Sequence, residues 1–219
     1  MSLPKTLEIF DINHTIAKEL LKNTLYPYEA LGHIKDFICE FANRLSNEFD
    51  VIGEDIYIAK GVKIYPTATI EGPTIICKGT KIRPGAFIRG SVIIGERCVI
   101  GNSTEIKNSI VFDDVQIPHY NYVGDSIMGY KSHMGASAIA SNYRLDHSSI
   151  TLTDGEKKID TGFRKLGVML GDFSEVGCGS ILNPGTIVGR ETLIYPLTVV
   201  RGIIPPNSNA YASVEDLLS

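Results

Sequence analysis

Cysteine is scarce in this sequence, and its distribution excludes two common kinds of small domain. The 219 residues include four cysteines, Cys39, Cys77, Cys98 and Cys178, and no two of them form a Cys-x-x-Cys pair. This spacing argues against a zinc ribbon and against a disulfide-stapled scaffold. We expect all four thiols to be reduced.

Long apolar runs and an excess of positive charge are also lacking. The chain has no stretch of 18 consecutive apolar residues, and its first residues, MSLPKTLEIFD, show no basic segment followed by an apolar one. We therefore expect a cytoplasmic protein without membrane contact. The formal net charge of -4 gives no basic field for nucleic acid, so any site for an anion must be local. With 43% hydrophobic residues, the chain has enough apolar material for a core.

A six-residue repeat dominates the centre of the sequence. Isoleucine recurs at every sixth position, as Ile58, Ile64, Ile70, Ile76, Ile82, Ile88, Ile94, Ile100 and Ile106. The same step resumes later as Leu170, Val176, Leu182, Val188, Ile194 and Val200. A step of six is neither the 3.6 of a helix nor the 2 of a strand, and it suits a short strand followed by a corner.

Three such units predict a triangular coil of 18 residues that pairs with the next coil about 4.8 Å away, as in a parallel sheet. The isoleucines then stack in columns inside the prism, where burial of each contributes roughly 1.5–3 kcal/mol before chain entropy is subtracted. An ordinary β-sandwich does not explain a constant step of six. We therefore predict an all-β protein whose main part, residues 51–219, is a parallel β-helix.

The first 50 residues lie outside the repeat. Apolar residues at spacings of three and four, from Leu31 to Leu45, predict an amphipathic helix. A shorter helix is expected around Thr15–Asn23. We interpret residues 1–50 as an N-terminal helical cap over the open end of the solenoid, which such stacks need.

A second segment, residues 142–165, interrupts the later part of the repeat. It contains two alternating runs on either side of Asp154 and Gly155, a pair typical of a tight turn. The pattern predicts a β-hairpin arm that projects from the solenoid and contacts something else.

The six-residue count fails in the stretch IPHYNYVGDS, residues 117–126. The steps after Ile106 run through Phe112, Ile117, Val123, Met128, Met134 and Ala140, so that two units have five residues. In this register His119 and Tyr122 lie outside the core-filling places of their unit and point outward. An outward histidine is either an idle surface imidazole or a working one, and spacing alone leaves both open.

Two cations share one place on neighbouring coils. Arg89 and Lys107 each follow a repeat isoleucine and differ by 18 in number, so we expect their side chains to stack about 5 Å apart. At that distance like charges repel by roughly 0.8 kcal/mol in bulk water, and an anion between them reverses this cost. A phosphate suits the pair. Glu71, one coil the other way from Arg89, could instead pair with it, and both interpretations stay open.

Three stretches carry a resemblance to a known family. GNSTEIK, IPHYNYVGDS and MGASAIASNY are similar to the acetyltransferase half of bifunctional glucosamine-1-phosphate acetyltransferase and N-acetylglucosamine-1-phosphate uridyltransferase, and to that of archaeal sugar-1-phosphate nucleotidyltransferases. The resemblance covers residues 64–205. It implies a left-handed parallel β-helix and a homotrimer with active sites between subunits. It also implies transfer of an acetyl group from acetyl-CoA to an amino-sugar phosphate, above all glucosamine-1-phosphate, in UDP-N-acetylglucosamine-type biosynthesis.

The resemblance also assigns roles to residues, with His119 as the catalytic base and no metal. The substrate-binding residues that it implies are Arg89, Lys107, Tyr122, His133 and Asn142. The residues that it implies along the acetyl-CoA groove are Ala136 and Cys178. His133 departs from the family's usual asparagine, which leaves the acceptor sugar open. Because no Gly-rich phosphate loop precedes the repeat, we expect uridyl transfer to belong to a separate nucleotidyltransferase, which would be a partner.

Three other functions stay open. The protein could acylate another amino sugar, or it could be a non-catalytic scaffold that binds a sugar nucleotide. A zinc site made of His119, His133 and His147 would resemble that of γ-class carbonic anhydrases, although the 14-residue intervals do not match that family's ligand spacing. Acceptor screening and zinc analysis separate these functions.

Overall fold

The computed structural model describes residues 1–42, 44 and 46–211. Its main part is a stack of triangular coils whose strands form three sheets with parallel pairing from coil to coil, and this confirms the predicted parallel β-helix. Most neighbouring coils pair in register at steps of 18 or 17 residues, as Ile88 does with Ile106 and Ile106 with Val123. The step is 42 residues across the arm and 16 at the last coil.

Along the chain, strands enter the eight-stranded, the seven-stranded and the nine-stranded sheet in turn. The eight-stranded sheet contains Lys63–Ile64, Lys81–Ile82, Val99–Asn102, Gln116–His119, His133–Met134, Glu175–Val176, Leu193–Ile194 and Asn209–Ala210. The seven-stranded sheet contains Thr69–Glu71, Phe87–Arg89, Glu105–Lys107, Tyr122–Gly124, Ile139–Ala140, Ile181–Leu182 and Val199–Val200. The nine-stranded sheet contains Phe49–Gly53, which is antiparallel to its neighbour, followed by Ile56–Ala59, Thr74–Ile76, Val92–Ile94, Ser109–Val111, Ile127–Met128, Met169–Leu170, Ile187–Val188 and Ile203–Ile204.

The repeat residues fill the prism, except at its first coil. The isoleucines from Ile76 to Ile106 have no exposed surface, and the later series from Leu170 to Val200 is at most 6% exposed. Ile64 is 38% exposed and Ile70 is partly exposed. Both belong to the end strands of their sheets, which have a neighbour on one side only.

The predicted register is wrong at one position. Val111, and not Phe112, occupies the core column, because Val111 pairs with Ile94 on one side and Met128 on the other. Phe112 is buried as well, but its ring packs at 5.2 Å on that of Phe10. The first five-residue step therefore runs from Ile106 to Val111, one unit earlier than expected.

The N-terminal segment contains three α-helices, Thr6–Ile9, Lys18–Lys22 and Ile34–Ala42, and the 3-10 helices Ile12–His14 and Pro27–His33. The helix at Ile34–Ala42 agrees with the predicted amphipathic pattern, while Leu45 lies outside the described residues. No helix in the described part of the chain is both long and apolar enough to cross a membrane.

This segment follows the side of the solenoid. The Ile9 carbonyl accepts from the Asp172 amide at 3.3 Å, and the His14 carbonyl accepts from the Asp113 amide at 3.0 Å. In the middle of the nine-stranded sheet the outward side chains have no exposed surface, as at Ile75, Ile93, Ile110 and Ile127. An apolar sheet face needs a cover along its length, which explains the placement.

A buried carboxylate anchors the segment. Asp172, 1% exposed, accepts from the Asp11 amide at 2.6 Å and from the Tyr130 amide at 2.8 Å, and it forms an ion pair with Arg190 at 3.3 Å. Burial raises the pKa of Asp172, and the bonds from the two amides oppose the rise.

The predicted hairpin is present but does not project. Strands Thr151–Asp154 and Lys157–Asp160 pair around a two-residue turn. Leu152 is 5% exposed, and the turn is tied to the chain start, since the Gly155 amide donates to the Met1 carbonyl at 2.8 Å. The hairpin lies back on the solenoid because its apolar side chains are buried there. The exposed part of the arm is instead the loop at 143–148, where Leu145 is 97% exposed.

Candidate functional site

Arg89 and Lys107 occupy the same place on neighbouring strands of the seven-stranded sheet, as their spacing predicts. We call the corner between the seven-stranded and nine-stranded sheets, where both strands end, the cation corner. Arg89 does not hold Glu71, although the two residues are in register. Its Nη1 donates instead to Oε1 of Glu105 at 2.7 Å, and this bond raises the pKa of Arg89.

A buried carboxylate that the sequence analysis did not single out organises the cation corner. Asp125 is 4% exposed, and the Nζ of Lys107 lies 3.5 Å from both of its oxygens. It also accepts from Nδ2 of Asn108 at 2.8 Å and from Nδ2 of Asn142. Asn142 lies 17 residues further along the chain, yet the coil geometry places its amide on this carboxylate. The spacing of 18 between Lys107 and Asp125 was the available signal.

Tyr122 joins the same network. Its hydroxyl accepts from Nδ2 of Asn142 at 3.0 Å. Burial raises the pKa of Tyr122, and the bond from Asn142 opposes the rise, so the phenol stays protonated at neutral pH. The tyrosine side chain lies across Gly124, where an added Cβ would come within 2.4 Å of the hydroxyl. Glycine is required there by this close approach.

His119 lies at another corner, between the eight-stranded and seven-stranded sheets, which we call the histidine corner. Its side chain is exposed, as the register predicts. Its backbone amide donates to Oδ1 of buried Asn121 at 3.0 Å, which fixes the main chain. The imidazole makes no hydrogen bond to any described residue of this chain. The ring is thus presented outward with both nitrogens available.

Ala136 and Cys178 stack on His119 along the histidine corner. The His119 carbonyl accepts from the amide after Ala136 at 3.0 Å, and the Ala136 carbonyl accepts from the amide after Cys178 at 2.9 Å. A cavity of about 390 Å³ opens beside Cys178, whose thiol is free and exposed. The structure therefore lines up three of the residues singled out in the sequence.

His133 stands apart from the cation corner. It lies within the eight-stranded sheet, where its Nδ1 is 2.8 Å from Oε2 of Glu175. His147 contacts the Tyr143 hydroxyl at 2.7 Å on the exposed loop. Among the described residues no three His, Cys, Asp or Glu side chains of this chain come close enough to hold a metal ion.

One chain does not bring all the candidate residues together. Lys107, Tyr122 and Asn142 share one network, with Arg89 beside it. His119 lies at the opposite edge of the seven-stranded sheet, where the strands begin. The strands of this sheet that have three residues are about 7 Å long, and this length separates the two corners. His133 is on another sheet. The two corners thus border the same outer face without meeting in one pocket.

Comparison with known proteins agrees with this architecture. The family described as the GMPPB C-terminal domain matches residues 70–215. The bifunctional protein GlmU of Methanococcus maripaludis is 31% identical over 217 residues, which cover 98% of this chain and 53% of that protein. The chain therefore spans about half the length of this relative.

Two further proteins are similar over most of the chain. The putative uncharacterized acetyltransferase YaiX of Escherichia coli is 31% identical over 209 residues, which cover 94% of this chain and 90% of that protein. A solved structure of a putative acetyltransferase from Bacillus cereus is 17% identical, covers 74% of this chain and 80% of that chain, and has a TM-score of 0.41. Residues 70–215 match the GMPPB C-terminal domain, and YaiX is 31% identical over 94% of this chain. These two findings show that the chain belongs to the hexapeptide-repeat acetyltransferases.

Proposed function

We propose that this chain is an acetyl-CoA-dependent N-acetyltransferase for an amino-sugar phosphate, with glucosamine-1-phosphate as the first acceptor to test. The observation that carries the proposal is the row formed by His119, Ala136 and Cys178, in which an outward imidazole heads a line of small side chains. An extended thioester can lie along such a row and end beside the base. The family relationship supports the reaction class.

In the proposed reaction, the acceptor amine attacks the thioester carbonyl carbon and forms a C–N bond. His119 accepts the amine proton, because imidazole is the side chain best suited to take a proton at neutral pH. The C–S bond then breaks, and the CoA sulfur leaves and is protonated. Acetyl-CoA is thus a co-substrate, and Ala136 and Cys178 are proposed to line its groove.

The cation corner is proposed to hold the acceptor. Lys107 has three donors and is 27% exposed at its side chain, so it can bind a phosphate while Asp125 fixes its position. Arg89 can add a forked contact to the same phosphate if it turns from Glu105. Tyr122 and Asn142 present groups suited to sugar hydroxyls, and His133 is proposed as a contact from the neighbouring sheet.

A homotrimer would resolve the separation of the two corners. Each copy would present its histidine corner to the cation corner of the next, so that base and acceptor meet between subunits. We further propose that the protein works in the cytoplasm, in UDP-N-acetylglucosamine-type synthesis, beside a separate nucleotidyltransferase. In this scheme residues 1–50 would pack on the solenoid as its N-terminal helical segment, without a role in nucleic acid or membrane binding.

The direct test is free-thiol release from acetyl-CoA in the presence of glucosamine-1-phosphate. We expect His119→Ala to lower kcat by about 100-fold or more, and Arg89→Ala to raise KM for the sugar. His33→Ala is the matched control, since this exposed histidine lies in the N-terminal segment. Full activity of His119→Ala would remove the assigned base.

The test also separates the remaining functions. Binding of acetyl-CoA without transfer to glucosamine-1-phosphate points to another amino-sugar acceptor. The other alternative is a non-catalytic scaffold that binds a sugar nucleotide. Absence of acetyl-CoA binding would select that function.

A further inference from the structure

The outer edge of the seven-stranded sheet carries positive charge well beyond the two residues of the cation corner. Residues at the place of Lys107 in later coils are Gly124, Ser141, Asn183 and Arg201, as the register of the strands fixes. Four strand spacings separate Lys107 from Arg201, a span of about 19 Å. This is far longer than a sugar monophosphate. In the opposite direction the row ends on exposed Glu71.

The loop of the arm hangs over the same row. A cavity of about 580 Å³ is lined by Asn142, Tyr143, Arg164 and Lys165. A second, of about 540 Å³, shares Tyr143 and is lined by Arg144 and Arg201 among others. Asn142 belongs to the Asp125 network, so the two cavities continue the proposed acceptor site upward along the sheet.

The charge of these cavities is one-sided. Their described lining contains four cations and a single carboxylate, Asp146, which is held by Arg144. Lys165 lies over the Tyr143 ring at 5.9 Å. Neither Lys165 nor Arg201 forms an ion pair with a described residue. In a chain of net charge -4, this concentration is a local exception, and cations around an aromatic ring suit a phosphorylated nucleoside.

We propose that the cavities around Tyr143 form a subsite for the diphosphate of a nucleoside diphosphate, with Lys165 and Arg201 as its main cations. The inference rests on the proposed function for the identity of the ligand that brings this group. Two sources share the chemistry: the nucleotide end of CoA, and a nucleotide attached to the acceptor sugar. Tyr143 stacks with the base in either case.

Calorimetric titration of the intact protein with ADP and with UDP tests the subsite without any need for activity. We expect Lys165→Ala with Arg201→Ala to weaken binding of at least one nucleotide by about tenfold or more, the change that loss of a charge-assisted hydrogen bond produces. Lys157→Ala is the control, because this exposed lysine of the hairpin lies outside the cavities. Its affinity should stay within about twofold of the starting protein.

Kinetics then identify the source. If the double variant has a higher KM for acetyl-CoA than the starting protein but the same KM for acetyl-pantetheine, the subsite belongs to CoA. Weaker binding of UDP-glucosamine, with glucosamine-1-phosphate unaffected, assigns it to the acceptor. If the starting protein binds neither nucleotide, or the double variant binds both as tightly, the subsite is refuted. The starting protein could also bind a nucleotide but show no transferase activity. If the double variant then loses that binding, the subsite is kept and the proposed function is refuted.

Discussion

The buried Asp125 offers the most direct measurement of what holds the cation corner together. Asp125→Asn preserves the shape of the side chain but removes its charge and replaces one acceptor oxygen by a donor. Of the two amide donors on the carboxylate, Asn108 and Asn142, one can still find the remaining oxygen. The other amide loses its bond to residue 125 and faces a second donor there, and Lys107 loses its counter-charge.

The expected loss of unfolding free energy is about 1.5–3 kcal/mol, since one hydrogen bond to a charged group disappears. Asn142 still donates to the Tyr122 hydroxyl and Asn108 is only half-buried, so neither amide is left both buried and unbonded. Lys107 adds little because it can turn to solvent. Urea denaturation of both proteins gives this difference from the shift of the midpoint at unchanged slope. KM for glucosamine-1-phosphate should rise in the same variant, because Lys107 is no longer fixed.

Asp114→Asn is the matched control for Asp125→Asn. Asp114 also binds a cation, Arg97, but the arginine side chain is 52% exposed. Exposed pairs contribute about 0.2–1 kcal/mol. A loss below about 1 kcal/mol in Asp125→Asn, or a loss no larger than that of the control, would refute the role given to burial.

Three further outcomes are expected. Alkylation with N-ethylmaleimide should modify exposed Cys178 first and be slowed by acetyl-CoA; equal labelling with and without acetyl-CoA, with Cys178→Ser as the blank, would contradict the groove. The Arg97 guanidinium lowers the pKa of Asp114, so this pair stabilises the fold above the ordinary carboxyl pKa of 3.8 and the stabilisation disappears as pH falls through the lowered value. In urea titrations Asp114→Asn should therefore be less stable than the starting protein at about pH 6, and this difference should shrink as the pH falls below 3.8. Gly101→Ala should cost at least about 2 kcal/mol, because a Cβ there would lie 1.5 Å from a backbone oxygen of the next coil, whereas Gly32→Ala meets only a side chain at 3.7 Å and should be tolerated.

The repeat was readable from sequence because one rule, an apolar residue every sixth place, acts over the whole solenoid. The rule failed at Phe112, where the N-terminal segment packs against the solenoid. Phe112 is as buried as Val111, but it packs on Phe10, which no local count can reveal. The sequence does contain an indication of where the N-terminal segment packs. Outward positions of the nine-stranded sheet, such as Ile93 and Ile110, are apolar, and an apolar sheet face has to be covered.

The candidate site was only partly predictable for a related reason. The 18-residue spacing placed Arg89 beside Lys107, yet it also suggested Glu71 as the partner of Arg89. Side chains reach diagonally across a sheet as well as straight along it, and Arg89 took Glu105. Asp125 stood in the stretch that broke the count, but its burial and its bond to Asn142 depend on the return of the chain after another coil.

The N-terminal segment changes how this solenoid should come apart. In a simple repeat protein each coil contacts only its neighbours, so the ends can fray independently. Here hydrogen bonds join Ile9 to Asp172 and His14 to Asp113, which lie two coils apart in the stack, and Met1 to Gly155 of the arm. Detachment of the N-terminal segment therefore releases contacts on several middle coils at once, and we expect these coils and the segment to melt as a single cooperative unit.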